Sequence, residues 1–343
     1  MNTPLISVVT PTKNRLRLLI ETMDSVAAQS LADWEHIIVD DGSDDGTPEE
    51  VRKRAASDSR IRYIQRSGPV GGGNVCRNLG LRESRADLTV FLDSDDLLRP
   101  NCLERRLAVM RDNKNLDFSV FRAGAFVKVP NDLSRLYHDQ MVVDDLLAFL
   151  SHDCLWQTTG PIWRRAFLHE IDGFDEALLA MQDLEMHVRA ICKGGKYLKF
   201  PDIDHDIRWE HDYTRVSIRN IYEPRYIEAS KEIRARLLRL VRDGGLLTWS
   251  RKRALLGLSF EASERWLRAK RLGAALAVWV QESRASGESA TLRVSGLVMI
   301  LLLYAGSLEK GFASRIVNKW KGIVRFRQEP ALIDVRNGPA GAP

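Results

Sequence analysis

The stretch Leu88-Thr89-Val90-Phe91-Leu92-Asp93-Ser94-Asp95-Asp96 carries the plainest chemical signal in this chain. Its apolar, β-favouring run reads as a buried strand, and that strand ends in three carboxylates. Asp-x-Asp offers hard oxygen ligands of the kind Mg²⁺ or Mn²⁺ takes, and such an ion would in turn hold a diphosphate. The plain alternative is a turn whose Asp and Ser side chains bond nearby backbone. Two more acidic places stand out: Asp40/Asp41 at the end of a second apolar run, and Asp183 with Glu185 farther on. Ligands of open α/β sheets bind beyond the carboxyl ends of the strands. Two acidic turns on one such rim repel each other unless a cation or a basic contact offsets them.

The elements that must position these acids follow a simple rhythm. Strands are expected over 5–10, 34–40, 61–65 and 88–92, with helices over 16–28 and 74–84 and another opened by Pro100. Strand alternating with helix at this period predicts an α/β fold with a mostly parallel sheet flanked by helices. After residue 112 the rhythm loosens. A strand is expected over 118–127, helices over 143–150, 164–170 and 183–193, and a short strand over 197–200 that Pro201 ends. The segment 153–163 is mixed polar and aromatic. From about residue 220 the chain reads as helix, with breaks at Asp243-Gly244-Gly245 and near 283–289.

Charge divides the 343 residues unevenly. Residues 1–212 carry 27 Lys and Arg against 35 Asp and Glu, whereas residues 213–343 carry 24 against 11. An acidic front and a basic rear suggest that only the rear meets anionic partners. Cys76, Cys102, Cys154 and Cys192 form no Cys-x-x-Cys and read as reduced thiols. Met1-Asn2-Thr3-Pro4 runs straight into a strand, so no secretory signal is expected there. The apolar run 294–308 is shorter than the ~20 residues of a membrane-spanning helix, which leaves a buried helix or an interfacial segment.

Four ordered motifs together resemble glycosyltransferase family 2. They are Ile6-Ser7-Val8-Val9-Thr10-Pro11-Thr12-Lys13-Asn14-Arg15, Ile38-Val39-Asp40-Asp41-Gly42-Ser43-Asp44-Asp45-Gly46-Thr47, Gly73-Asn74-Val75-Cys76-Arg77-Asn78-Leu79-Gly80-Leu81 and Phe91-Leu92-Asp93-Ser94-Asp95-Asp96. The resemblance covers about residues 5–217. It implies the GT-A (nucleotide-diphospho-sugar transferase) fold and sugar transfer with inversion at the anomeric carbon. It places Pro11, Asn14 and Arg15 at the nucleotide, with Asp41 accepting from a uracil-type imide N–H and Asp40 as the alternative. Arg77 would approach the phosphates, which suit its planar fork. Asp93 would contact ribose or metal, and Asp95 would ligate Mn²⁺ or Mg²⁺. The bland alternatives are a surface helix residue for Arg77 and a helix N-cap for Asp96.

Inverting transfer needs a base for the acceptor hydroxyl. The resemblance puts it after Gly173-Phe174-Asp175-Glu176, where Gln182-Asp183 replaces the family's Glu-Asp. Asp183 is the match and Glu185 the second choice, with an acceptor contact its other role. Asp183 could equally cap its helix. Arg208-Trp209-Glu210-His211 loosely resembles a further family segment, with His211 the implied metal or diphosphate contact. His205 stands where processive members carry Gln, which favours transfer of a single sugar. Trp156 and Gln157 are candidate acceptor contacts, against core packing.

The expectation is therefore a catalytic domain over 1–219, a basic helical region over 220–330 that associates with membrane or oligomerises, and a disordered tail over 331–343. The reaction expected is metal-dependent transfer from a nucleotide-sugar donor, a UDP-sugar in the first instance, to a glycan or lipid-linked acceptor in cell-surface polysaccharide synthesis. Its place would be cytoplasmic, peripheral at the inner membrane face, with Arg251-Lys252-Arg253 and Arg268, Lys270 and Arg271 against anionic lipid. The rivals are a sugar-nucleotide pyrophosphorylase, which would need a glycine-rich loop after the first strand, and a non-catalytic binding protein. Positive charge confined to the rear, with no recognised module, argues against nucleic acid.

Overall fold

The computed structural model describes residues 3–68, 71–137, 140–209, 222–306, 312–323 and 333–334. Its centre is the strand β1 (Ile6–Thr12), with β2 (Trp34–Asp40) on one side and β4 (Leu88–Phe91) on the other, all parallel. The edge strand β3 (Ile61–Gln65) pairs parallel with β2. Strands buried on both faces read as near-continuous apolar runs, and the residues alternate between two cores. Ile6, Val8, Ile38 and Val90 pack with Leu19, Met23 and Val26 of α1 (Leu16–Ala27) and with α4 (Cys102–Asp112). Val9, Ile37, Val39 and Phe91 face the opposite core, which α3 (Gly73–Glu83) shares. A short α2 (Thr47–Ser57) closes the first side.

Beyond β4 the sheet turns antiparallel, so it is mixed. In its main path, β8 (Pro161–Arg164) lies between β4 and β6 (Phe118–Phe126), followed by β7 (Arg135–Leu136) and β10 (Ile333–Asp334). The segment 153–163, expected only as mixed, thus contains the start of a strand. The strand expected to stop at Pro201 instead runs on as β9 (Tyr197–Arg208), parallel to β6 and antiparallel to the two-residue β5 (Leu97–Leu98). A register shift between Phe121 and Arg122 carries the pairing from Phe200 to Ile203, and a bulge is where a sheet tolerates proline.

That continuation matters because it brings a buried charge to α4. Arg106 is fully buried and donates from Nε and Nη2 to the two oxygens of Asp204 at 2.7 and 2.9 Å. Its Nη1 donates to the Thr159 carbonyl at 2.9 Å. Burial works to raise the Asp204 carboxyl, but Arg106 and a hydrogen bond from His205 outweigh it and hold it at about 2. Arg106→Met should cost about 3–5 kcal/mol of folding stability, since it leaves a buried carboxylate without its partner. Urea denaturation reads this directly, and an unchanged midpoint would show that the pair contributes nothing.

Three short helices, α5 (Asp145–Leu150), α6 (Arg165–Glu170) and α7 (Gln182–Cys192), complete the front half. The rear is helical as expected: α8 (Pro224–Asp243), α9 (Trp249–Arg268), α10 (Leu272–Ala285), α11 (Ala290–Gly306) and α12 (Phe312–Ile323). The breaks fall at 244–245 and 286–289, with Gly245 and Gly287 at positive φ. The expected boundary at 219 lies outside the described residues, as does most of the expected tail. Ile233, Leu237 and Val241 of α8 and Leu255 and Leu258 of α9 belong to the core beneath β1 and β2. The other side of α9 (Leu256, Phe260, Trp266) forms a separate core with α10, α11 and α12.

Candidate active site

The loops after β1, β2 and β4 meet at the carboxyl edge of the parallel strands. The Asp41 amide donates to the Thr12 carbonyl at 2.9 Å, which joins the ends of β1 and β2. Asn14, at φ 51°, accepts from the Asp44 amide through its side chain, and its own amide donates to Ser43 Oγ. Asn14 therefore laces two loops together, and Pro11 lies at the end of β1 beside Val39.

The two acids after β2 separate clearly. Asp40 is fully buried: Oδ1 accepts from the amide and hydroxyl of Ser43, and Oδ2 from the Tyr63 hydroxyl at 2.7 Å. Asp41 instead faces Arg66, the Gly72 amide at 3.0 Å and Lys13 at 3.7 Å. A Cβ on Gly71 would lie 2.7 Å from Asp41 Oδ1, so the glycine run lets backbone approach this carboxylate.

The acids after β4 divide in the same way. Arg77 Nη2 donates to Asp93 Oδ1 at 2.6 Å, and Arg15 Nη1 to Asp95 Oδ2 at 2.7 Å. Asp96 turns inward, and it caps no helix. Its carboxylate accepts from Thr159 Oγ1 at 3.0 Å and from the Arg208 amide at 3.3 Å. Arg208 also donates from Nε to the Asp95 carbonyl and from Nη2 to Glu21 at 2.5 Å, so β9 clamps this turn.

Asp183 lies in the first turn of α7, after Met181 in the left-handed region at φ 55°. Strained backbone of this kind is held by its surroundings. The loop 173–178 that precedes it is fixed from α3: Asn78 exchanges hydrogen bonds with the Phe174 backbone, and Asn74 donates to the Asp175 carbonyl at 2.7 Å. Gly173 takes φ +56°, and a Cβ there would meet Asn78 Oδ1 at 2.6 Å. Arg189 donates to the Gly173 carbonyl, and Arg236 of α8 pairs with Asp175. Burial raises the Asp183 carboxyl; the Leu184 amide and the Arg77 charge oppose this, and the Asp93 charge adds to it. Asp183, Arg77 and Asp93 therefore lie close enough for their charges to act on one another.

Three expectations need correction or a change of place. Glu185 is fully buried, its oxygens taken by Arg189 at 2.8 and 3.0 Å and by Arg236 at 2.7 Å, so it faces neither acceptor nor solvent. Trp156 is buried, edge-on to Phe149 with ring centroids 4.6 Å apart, and with Gln157 it lines a small pocket that includes His205 and Tyr137. His211 lies outside the described residues. Sequence reasoning missed Arg66, Asn74, Asn78 and Arg236. Of these only Asn74 and Asn78 carried a signal, since amides four residues apart share a helix face.

Among the described residues no group of three His, Cys, Asp or Glu side chains is placed to hold a metal ion. Asp93 and Asp95 each have an arginine partner instead. Mg²⁺ binds through one or two carboxylates plus phosphate oxygens and water. A two-carboxylate turn of this kind thus fits a cation that arrives with a diphosphate.

Residues 7–159 match the family model described as glycosyl transferase family 2. A Bacillus subtilis (strain 168) glycosyltransferase, TuaG, named for teichuronic acid biosynthesis, is 33% identical over 156 residues, 44% of this chain and 60% of that protein. An uncharacterized glycosyltransferase of Rickettsia bellii is 29% identical over 194 residues, 53% of this chain and 27% of that protein. The chain thus spans less than two thirds of either relative. Among solved structures, S. aureus TarS 1–349 in complex with UDP-GlcNAc has a TM-score of 0.59 at 16% identity, over 90% of this chain and 93% of that one. The mannosyltransferase PcManGT of Pyrobaculum calidifontis, in complex with GDP-Man and Mn²⁺, has a TM-score of 0.51 at 18% identity, over 95% and 85%. At such identities the likeness is one of fold: a mixed α/β sheet of GT-A type followed by helices.

Proposed function

We propose, from the match of residues 7–159 to the family model described as glycosyl transferase family 2, that this chain moves a single sugar, with inversion, from a nucleoside-diphosphate donor to an acceptor hydroxyl. The acceptor is a glycan or a lipid-linked glycan in cell-surface polysaccharide synthesis, the setting for which the relative TuaG is named. UDP is the first donor nucleotide to test, as it is the one bound by TarS. One observation carries the reading: Asp183, raised by burial, shares its surroundings with the Arg77 guanidinium and the Asp-x-Asp turn.

In this mechanism Asp41 accepts from the base imide, and Arg77 turns its fork from Asp93 to the phosphates. The acceptor oxygen attacks the anomeric carbon from the face opposite the leaving group. Asp183 takes the hydroxyl proton as the bond to the diphosphate oxygen breaks, and the electron pair leaves with the nucleotide. Asp95, with Asp93, would hold Mn²⁺ or Mg²⁺, which when bound supplies positive charge against the leaving diphosphate. His211 stays a candidate third ligand on its sequence position alone. The pyrophosphorylase alternative is disfavoured because Thr12–Arg15 carries no glycine-rich loop.

A thermal-shift series with UDP, GDP, ADP and their sugars, each with and without Mn²⁺, tests the donor site. A ligand at a hundred times its Kd adds about 2.7 kcal/mol, which for a chain of this size raises Tm by several degrees. The expected result is a metal-dependent rise for one nucleotide. A flat series across all of them would remove the donor site.

A further inference from the structure

The basic cluster expected to meet lipid is engaged within the protein: Arg251 donates to Asp144 and to the Leu246 carbonyl, and Arg253 pairs with Glu288 at 3.4 Å. Another basic residue of the rear helices reaches forward. Arg236 of α8 donates from Nε to Glu185 Oε1 at 2.7 Å and pairs through Nη1 with Asp175. Asp183 lies between those two carboxylates in the chain, so one guanidinium grips the backbone on both sides of the candidate base.

The sequence of α7 gives that end of the helix little hold of its own. No side chain caps its N-terminus, and Met181 enters it in the left-handed region at φ 55°. The first amides of a helix need partners from outside the helical ladder, and here the Leu184 amide finds Asp183 Oδ1 at 2.8 Å. Neutralising Glu185 does not require Arg236. Arg189 already donates to both Glu185 oxygens, at 3.0 and 2.8 Å, and also to the Gly173 carbonyl. Asp175 has a side chain 19% exposed, so water reaches it without a partner. What Arg236 adds is a fixed span between the loop 173–178 and the first turn of α7, since its planar fork sets both directions at once. The helix that carries it is itself well anchored. Ile233 and Leu237, on either side of Arg236 in the chain, share a core with Leu184 and Val188 of α7, and Arg234 pairs with Glu282 of α10.

We infer that Arg236 is a positioning residue for Asp183: by bridging Asp175 and Glu185 it sets the direction from which that carboxylate meets an acceptor hydroxyl. The rear helices thereby take part in the transfer step. This rests on Asp183 being the base, and Arg236 acts only through the two carboxylates it holds.

The test is a double-mutant cycle on the full chain with Mn²⁺. The probes are UDP-, GDP- and ADP-sugars with water as the acceptor, and the reading is release of the nucleoside diphosphate. Arg236→Met, similar in length but without the fork, should lower kcat by about 10², the cost of displacing a reacting group by ~1 Å, with donor KM unchanged. Added to Asp183→Asn it should cost nothing further, because a carboxylate that is absent cannot be misplaced. Equal losses with and without the Asp183 carboxylate would make Arg236 structural and overturn the inference. If Asp183→Asn lowers kcat and Arg236→Met does not, the inference alone falls. If Asp183→Asn has no effect, the base reading fails and takes the inference with it. Hydrogen exchange needs no substrate and gives an independent reading. Amides over 173–185 should exchange about tenfold faster in Arg236→Met, with β1 and β4 unchanged; unaltered exchange over 173–185 overturns the inference. If Arg236→Met fails to fold, Asp175→Asn, which leaves Glu185 covered, takes its place with the same expectations.

Discussion

Asp183→Asn is expected to lower kcat by about 10²–10⁴, the usual worth of a positioned base, with donor affinity nearly unchanged. Asn keeps the size of the side chain and its contact with the Leu184 amide, but it cannot take a proton. Because burial raises the Asp183 carboxyl, the parent rate should fall on the acid side with a midpoint above the ordinary aspartate range. That limb should vanish from the residual rate of the variant. Stability provides the control. A carboxyl raised by folding contributes stability below its unfolded pKa, and that contribution is lost as pH rises through the folded value. At neutral pH the charged group is therefore a burden that Asn removes, so the variant should melt no lower than the parent. Steady-state kinetics, nucleotide calorimetry and melting across pH separate the cases. Parallel loss of kcat, donor binding and Tm would mean that Asp183 is structural.

The second large effect is expected at the Asp-x-Asp turn. Asp95→Ala should reduce transfer by about 10²–10³, the scale on which removal of one charge-stabilising group acts. It should also make nucleotide affinity indifferent to Mn²⁺. The fold should tolerate this change, since the partner left behind, Arg15, has a side chain 27% exposed and so stays hydrated. Calorimetry of UDP with and without Mn²⁺ reads the coupling. If added metal still tightens UDP binding to the variant, Asp95 is not part of the cation's surroundings.

The parallel strands and their acidic turns were legible because an uninterrupted apolar run followed by Asp and Gly has few other uses. The roles within each turn were not. Asp40 and Asp41 are chemically identical, and which of them is buried depends on Tyr63 from a different strand. Glu185 reads as a carboxylate near the base until Arg236, 51 positions later, is seen to cover it. Pro201 argues locally for the end of a strand, and only the register shift opposite β6 lets β9 continue. Trp156 has a sequence neighbourhood that suits sugar stacking, yet His187 and Tyr197, with ring centroids 5.7 and 5.8 Å away, pack it into the aromatic core. In each case the deciding partner is distant in sequence, and local pattern carries no trace of it.

Arg236 also limits how such a protein can be recombined. A chimaera that stitched residues 1–219 to a foreign tail would take the guanidinium from Asp175 and Glu185 and strip cover from the inner apolar layer. Moving the seam past α9 would lay bare Phe260 and Trp266. No cut through the rear helices spares both layers, so front and rear are expected to be inherited, shuffled and engineered as a single piece.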